Sequence, residues 1–288
     1  MKNTLDMGFM FVASLHNLFV FVNSLHKKKR IFHLFFDIKQ VLKSKICSLM
    51  NNNLDIYSMN GINNLAAIPM RREHSDKSEI VNQVLYGETF LILEKQEKWS
   101  KIKLHHDKYE GWIDNKQWVL DKRQKTKDKR QHIISSLFKK EKDCIYPLGS
   151  LVEFKVPENK KTILQTAKLF LNTPYLWGGR TFMGIDCSGF TQVVFRVHGI
   201  KLLRDAYQQA TQGKKIKFTD AATNDLAFFS NQEGRIIHVG IVIKEKNDIK
   251  IIHASGKVRI DKLEELGIFF EATQTYSHQL HSIKRISK

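Results

Sequence analysis

The chain is poor in the features that most readily declare a function. Its 288 residues hold three cysteines, Cys47, Cys144 and Cys187. This odd, widely spaced set offers neither a disulfide framework nor a metal-type cysteine pair. It fits a reducing compartment in which Cys187 stays a free thiol, and the expected location is the cytoplasm. The twelve histidines lack the His-x-x-x-His spacing with a carboxylate partner that a zinc site requires, so no metal and no cofactor is expected. There is no internal repeat. Acidic residues are the scarcer sign: 47 Lys and Arg face 29 Asp and Glu, for a formal net charge of +18. Such a charge suits nucleic acid, an anionic surface or an acidic substrate. The basic residues are nevertheless scattered or clumped in linker-like tracts without a recognition motif, so no nucleic-acid partner is expected.

A long uninterrupted apolar run is also missing. The nearest approach, Met7 to Val22, is broken by His16 and Asn17 and followed by the basic cluster Lys27-Lys-Lys-Arg30. It is shorter than a normal membrane span, and its charges lie on the wrong side for a secretory signal. Residues 1–60 thus form an atypical extension with three open readings: an over-extended start, with translation from Met50 or Met59; a membrane-associated leader; or an added helix. A genuine leader would make the location periplasmic or membrane-associated.

The composition changes after residue 60. Short alternating runs at Ile80–Leu85, Thr89–Leu93, Trp99–Leu104 and Gly111–Asp114 are separated by turn signals, which predicts a small all-β barrel over 61–120. The charge-rich tract 121–158 reads as a solvated linker or remnant. In 159–288 an apolar stripe predicts a helix over Lys160–Leu171, ended by Pro174. Phe190–Val197 predicts a second helix, and Leu202–Gly213 a further helix or irregular segment. Strands are expected at Asp225–Phe229, Ile236–Lys244, Ile249–His253 and Val258–Ile260. Helices first and an antiparallel sheet after make an α+β domain.

Cys187 falls where the glycine-rich loop 174–186 meets the second helix. A lone cysteine in apolar surroundings is by default a small buried hydrophobe. At a helix tip, however, unpaired backbone N–H groups and the dipole favour the thiolate. Two strand histidines, His238 and His253, follow downstream, and thiol plus base plus orienting group is the logic of a cysteine hydrolase. Antiparallel pairing of consecutive strands brings the two histidines close.

Six blocks carry a resemblance: Pro174-Tyr-Leu-Trp-Gly-Gly179, Asp186-Cys-Ser-Gly-Phe190, Leu203-Arg-Asp-Ala-Tyr-Gln-Gln209, Asp225-Leu-Ala-Phe-Phe229, His238-Val-Gly-Ile241 and Ile252-His-Ala-Ser-Gly256. In this order they resemble the NlpC family of cell-wall cysteine peptidases, and the region ahead of them resembles a bacterial SH3-like domain. The resemblance implies a papain-like catalytic domain with Cys187 as nucleophile, His238 as base and His253 as its orienting partner. It further implies a murein-peptide substrate, cut between D-glutamate and a diamino acid. It also implies a pocket for a free substrate amine, made by Asp186 and Ser188 and closed by Tyr109 and Glu73. Asp186 and Ser188 equally suit plain helix capping. Arg204 and Asp205 are implied as polar neighbours of the site, and Trp177 as part of the cleft wall. Two departures stand out: Ala206 and Tyr207 fill positions where a serine is frequent, and Asn224 stands where a glycine often precedes Asp225. The rival readings are an amidase or acyltransferase on the same fold, and a non-catalytic wall-binding protein.

Overall fold

A computed structural model of the chain describes residues 59–123, 131–246, 248–271 and 273–287. The readings made for residues 1–58 lie outside the described residues. Among those described, no helix is long and apolar enough to cross a membrane.

The first folded layer is all β. Strands β1 (Asn60–Ile62), β2 (Ala67–Arg71), β3 (Ile80–Leu85), β4 (Thr89–Lys95), β5 (Trp99–Leu104), β6 (Glu110–Asp114) and β7 (Val119–Leu120) form one sheet in the order β3-β2-β6-β5-β4-β1-β7. Side chains alternate across each strand. Ile68 and Met70, Phe90 and Ile92, and Ile102 and Leu104 therefore point inward and close a small core with Val84, Ile113 and Trp118. This is the small barrel expected for 61–120.

Within the tract read as linker or remnant, β8 (His132–Ile133) pairs with β11 (Leu151–Val152), and β9 (Phe138–Glu141) pairs with β10 (Cys144–Pro147). Ile134, Tyr146 and Val152 are buried beneath them. Helix α1 (Ile163–Lys168) is shorter than predicted at both ends. Thr162 and Gln165 form a reciprocal capping box that fixes its start. At the other end Asn172 turns left-handed, φ 69°, and its N–H bonds to Val258 O.

The glycine loop holds the short pair β12 (Arg180–Thr181) and β13 (Gly184–Ile185). Helix α2 (Cys187–Arg196) follows, then the single-turn α3 (Ala206–Gln209). The main sheet comprises β14 (Lys214–Ile216), β15 (Leu226–Ser230), β16 (Ile236–Glu245), β17 (Asp248–Ser255), β18 (Lys257–Glu264), β19 (Gly267–Phe270) and β20 (Thr275–Arg285). The first half of β20 pairs with β19 and its second half with β15, so β15 to β20 close into a ring. One face, with Val239, Ile241 and Ile252, packs on α2; the other, with Phe229, Ile251 and Leu263, fills the ring. Asn224 adopts φ 77°, a left-handed conformation that asparagine tolerates better than most residues, so the missing glycine leaves the turn intact.

The barrel joins the second domain through buried charge. Glu88, in the turn between β3 and β4, accepts two bonds of 2.9 Å from Arg180 and one from Arg196. Both Glu88 and Arg180 are fully buried. Burial would raise the Glu88 carboxyl, but Arg180, His106 and Arg196 overturn this and hold it far below its ordinary value of 4.5. Removing one partner of a buried pair strands the others. Glu88→Gln should therefore lower unfolding free energy by about 3–5 kcal/mol, read from the denaturant midpoint. A folded-state carboxyl held low contributes stability that is complete above the unfolded value and is lost as pH falls beneath it. Wild-type stability should thus decline below pH 4.5, with a shallower slope in the variant; equal slopes would rule out this role.

Candidate active site

Cys187 opens α2 and is 7% exposed. Its thiol receives the backbone N–H groups of Val239 and Ser188. The first contact seats the sulfur against β16 at the residue that follows His238. The thiolate favoured by the helix tip does not prevail in the resting site. Burial, reinforced by the charge of Asp186, pushes the thiol up to about 12 against those N–H groups and Arg204. Desolvation of the anion outweighs the tip field.

The two strand histidines meet as expected. Gly240 lies opposite His253 in the β16–β17 register, and His238 Nε2 is 2.7 Å from His253 Nδ1. A side chain at Gly240 would strike the Ile251 side chain and His253 Cβ, so glycine there leaves space for the imidazole. His253 Nε2 in turn lies 2.8 Å from Asp261 Oδ2. Both histidines are buried, at 5% and 1% exposure. Burial holds His238 well below 6.5, and repulsion from His253 or His278, whenever either ring is protonated, lowers it further. His278, on β20, stacks on His238 with ring centroids 4.3 Å apart.

Asp186 organises the other side. Its Oδ1 accepts from Gly189 N–H at 2.6 Å and Arg204 Nη1 at 3.0 Å; its Oδ2 accepts from Gly178 N–H at 2.9 Å and Arg204 Nη2 at 2.5 Å. Ser188 Oγ also donates to Oδ1, and Arg204 Nη1 donates to Ser188 Oγ. Asp186 thus caps the helix, and its charge is matched by a buried guanidinium. Gly178 has φ 76°, and a side chain there would strike Ile80 O; one at Gly189 would strike Gly179 O. Both glycines let the capping loop close. Arg204 Nε donates to Asn82 Oδ1 on β3 at 2.7 Å.

The remaining predicted residues separate. Tyr109 of the barrel hydrogen-bonds the carboxylate of Asp205, which also takes a bond from Tyr207. Burial raises Asp205, and so does the nearby Asp186 charge, while Arg204 opposes them. Trp177 is 59% exposed on the surface and donates Nε1–H to Glu79 Oε1 at 2.6 Å. Glu79 also pairs with Arg72. Glu73 is exposed, and no contact among the described residues ties its carboxylate to the site; its backbone N–H donates to Ser78 Oγ. Beside Glu88, Glu79 is an acidic barrel residue that reaches the second domain, through Trp177. Sequence reasoning missed Asp261, His278 and Glu79. Asp261 had one usable signal: it lies two residues beyond Arg259, the residue that pairs with His253 in the β17–β18 register.

Comparison with known proteins follows the same division. Residues 172–276 match the NlpC/P60 family, and residues 70–117 match the bacterial dipeptidyl-peptidase Sh3 domain. The gamma-D-glutamyl-L-lysine dipeptidyl-peptidase of Bacillus subtilis (strain 168) is 45% identical over 83 residues, 28% of each chain. Its namesake from Bacillus cereus (strain ATCC 10987 / NRS 248) is 34% identical over 111 residues, 38% of this chain and 33% of that one. The matches therefore span about a third or less of these two relatives. Dipeptidyl-peptidase 6 of Lysinibacillus sphaericus is 24% identical over 65% of this chain and 86% of its own length. In fold, the crystal structure of an NlpC/P60 family protein from Bacillus cereus ATCC 10987 aligns with TM-score 0.65 at 18% identity, covering 78% of this chain and 99% of that one. The chain thus joins a bacterial SH3 domain to an NlpC/P60 family domain.

Proposed function

We propose that this protein is a cysteine peptidase acting on short murein-derived peptides, at the bond from D-glutamate to a diamino acid, where the substrate carries a free N-terminal L-alanine. The observation that carries the reading is a buried thiol at a helix tip, seated against the strand of an imidazole that a second imidazole holds by its far nitrogen. The names of the Bacillus relatives support the choice of bond.

In this reading His238 takes the proton from Cys187 Sγ, and the sulfur attacks the scissile carbonyl carbon. Backbone N–H groups at the tip of α2 meet the oxyanion that forms. The imidazolium then protonates the leaving amine, and water hydrolyses the thioester through the same base. Burial disfavours a lone thiolate and a lone imidazolium alike. Moving one proton between them creates both charges together, and their attraction offsets part of that cost.

The amine pocket is best built on Asp205 and Tyr109 rather than on Asp186. Asp186 already has its donors and a guanidinium, whereas Asp205 is raised by burial and gains from an arriving ammonium. Arg72 also sends its field to Tyr109 and Asp205, but it is paired with Glu79. We place the enzyme in a reducing compartment, the cytoplasm, where Cys187 stays a free thiol.

The full chain should cleave L-Ala-γ-D-Glu-diamino-acid peptides, as measured by release of the diamino acid, and Cys187→Ala should abolish this. N-acetylated copies should resist; equal cleavage of both would remove the amine pocket. Asp205→Asn should raise KM about tenfold or more, the scale of a lost hydrogen bond to a charged group, with kcat little changed. The acid limb of the pH–rate profile should lie well below 6.5, because the site keeps His238 neutral there. A limb at or above 6.5 would exclude neutral His238 as the base.

A further inference from the structure

We propose that Asp261 is a positioning residue that sets the tautomer of His253 and, through it, of His238, leaving His238 Nδ1 unprotonated and able to accept the Cys187 proton. The inference rests on the peptidase reading for its purpose but not for its test. It follows from which atoms can donate.

Asp261 sits on β18 opposite Ile251, a diagonal neighbour of His253 on the same sheet face. Its carboxylate is held from both sides. His253 Nε2 lies 2.8 Å from Oδ2, and Arg259 Nη2 donates to Oδ1 at 2.6 Å. Arg259 is itself braced over the Phe270 ring, 4.5 Å from its centroid. Burial would raise the Asp261 carboxyl, but the bonds from His253 and Arg259 bring it below its ordinary value. Ionised, it only accepts.

The contact with His253 Nε2 therefore requires a proton on that nitrogen. In a neutral imidazole the other nitrogen is then an acceptor. His253 Nδ1 is the atom facing His238 Nε2 at 2.7 Å. His238 must consequently donate from Nε2, and its Nδ1 keeps the lone pair. With His253 neutral, each assignment forces the next. When His238 later takes up the thiol proton at Nδ1, its Nε2–H and the His253 Nε2–H already point down the chain towards the carboxylate. No group has to turn over.

Without the carboxylate nothing selects this arrangement. His253 can then carry its proton on Nδ1 and donate to His238 Nε2, which moves the His238 proton to Nδ1 and removes the base. An amide in place of Asp261 makes this easier, since its NH2 can donate to His253 Nε2.

The test uses 15N-detected histidine side-chain spectra of the full chain at neutral pH, compared with Asp261→Asn and Asp261→Ala. The wild type should show His238 protonated at Nε2 and pyridine-like at Nδ1. The variants should populate the reverse tautomer, and alkylation of Cys187 by iodoacetamide should slow by about 10–100-fold, the scale for loss of an outer orienting partner. Where peptide is cleaved, kcat should fall with KM unchanged. His238 protonated at Nδ1 in the wild type would overturn the proposal, as would tautomers and alkylation unchanged in a folded Asp261→Asn protein. Absence of peptide cleavage would count against the peptidase reading alone, because the spectra and the alkylation need no substrate.

Discussion

The ion pair between Asp186 and Arg204 is the constraint from which the cleft is built. A buried carboxylate without a partner costs several kcal/mol, and here one aspartate collects the Gly178 and Gly189 N–H groups, the Ser188 hydroxyl and a guanidinium. Those donors come from the loop before the helix, from its first turn and from the segment leading to α3. The single charge therefore fixes where the helix starts and how the loop lies over it, and so where the Cys187 sulfur sits. Its negative charge also works against thiolate formation at the neighbouring residue, with Arg204 as the local compensation. The charge that gives positional precision thus adds to the burial that keeps the resting thiol neutral.

Arg204 in turn depends on the barrel. Its Nε is met by Asn82, while Arg180 is met by Gln83 and Glu88, all from the first domain. The barrel thus supplies acceptors to two guanidinium groups that are almost fully buried in the intact chain, contacts that a merely adjacent module would not make. Tyr109 adds a direct contact to Asp205. The barrel is therefore part of the second domain's polar framework.

What could be read in the sequence was whatever is encoded locally. The cysteine at a glycine-to-helix junction and the two histidines on successive strands rest on short-range pattern and on the pairing of neighbouring strands. So do the alternating strands of the barrel and the α+β order. Asp261 and His278 depend instead on register and closure: β20 meets both β19 and β15 to complete the ring. Its polar sequence, Thr275 to Arg285, gave no apolar alternation to mark it as a strand. Glu88 was hidden for another reason. A carboxylate in a turn normally faces water, and only docking of the two domains buries it. Capping of α2 by Asp186 was one of two readings left open by the sequence, but its full engagement by Arg204 was not anticipated, because the two are eighteen residues apart.

The same distinction between local and distant control explains how a buried site keeps a usable base. Burial alone would leave His238 neutral but free to hold its proton on either nitrogen. The choice is made at the far end of a line of hydrogen bonds, where Asp261 accepts from Arg259 and is less deeply buried than the histidines. A carboxylate placed directly against His238 would exert a stronger field, but it would also favour a standing imidazolium and so a base already occupied. Putting an imidazole between them passes on the orientation while setting the carboxylate charge farther away. This arrangement needs one more hydrogen bond than a direct contact would, and the closed ring of strands supplies the rigidity to meet it.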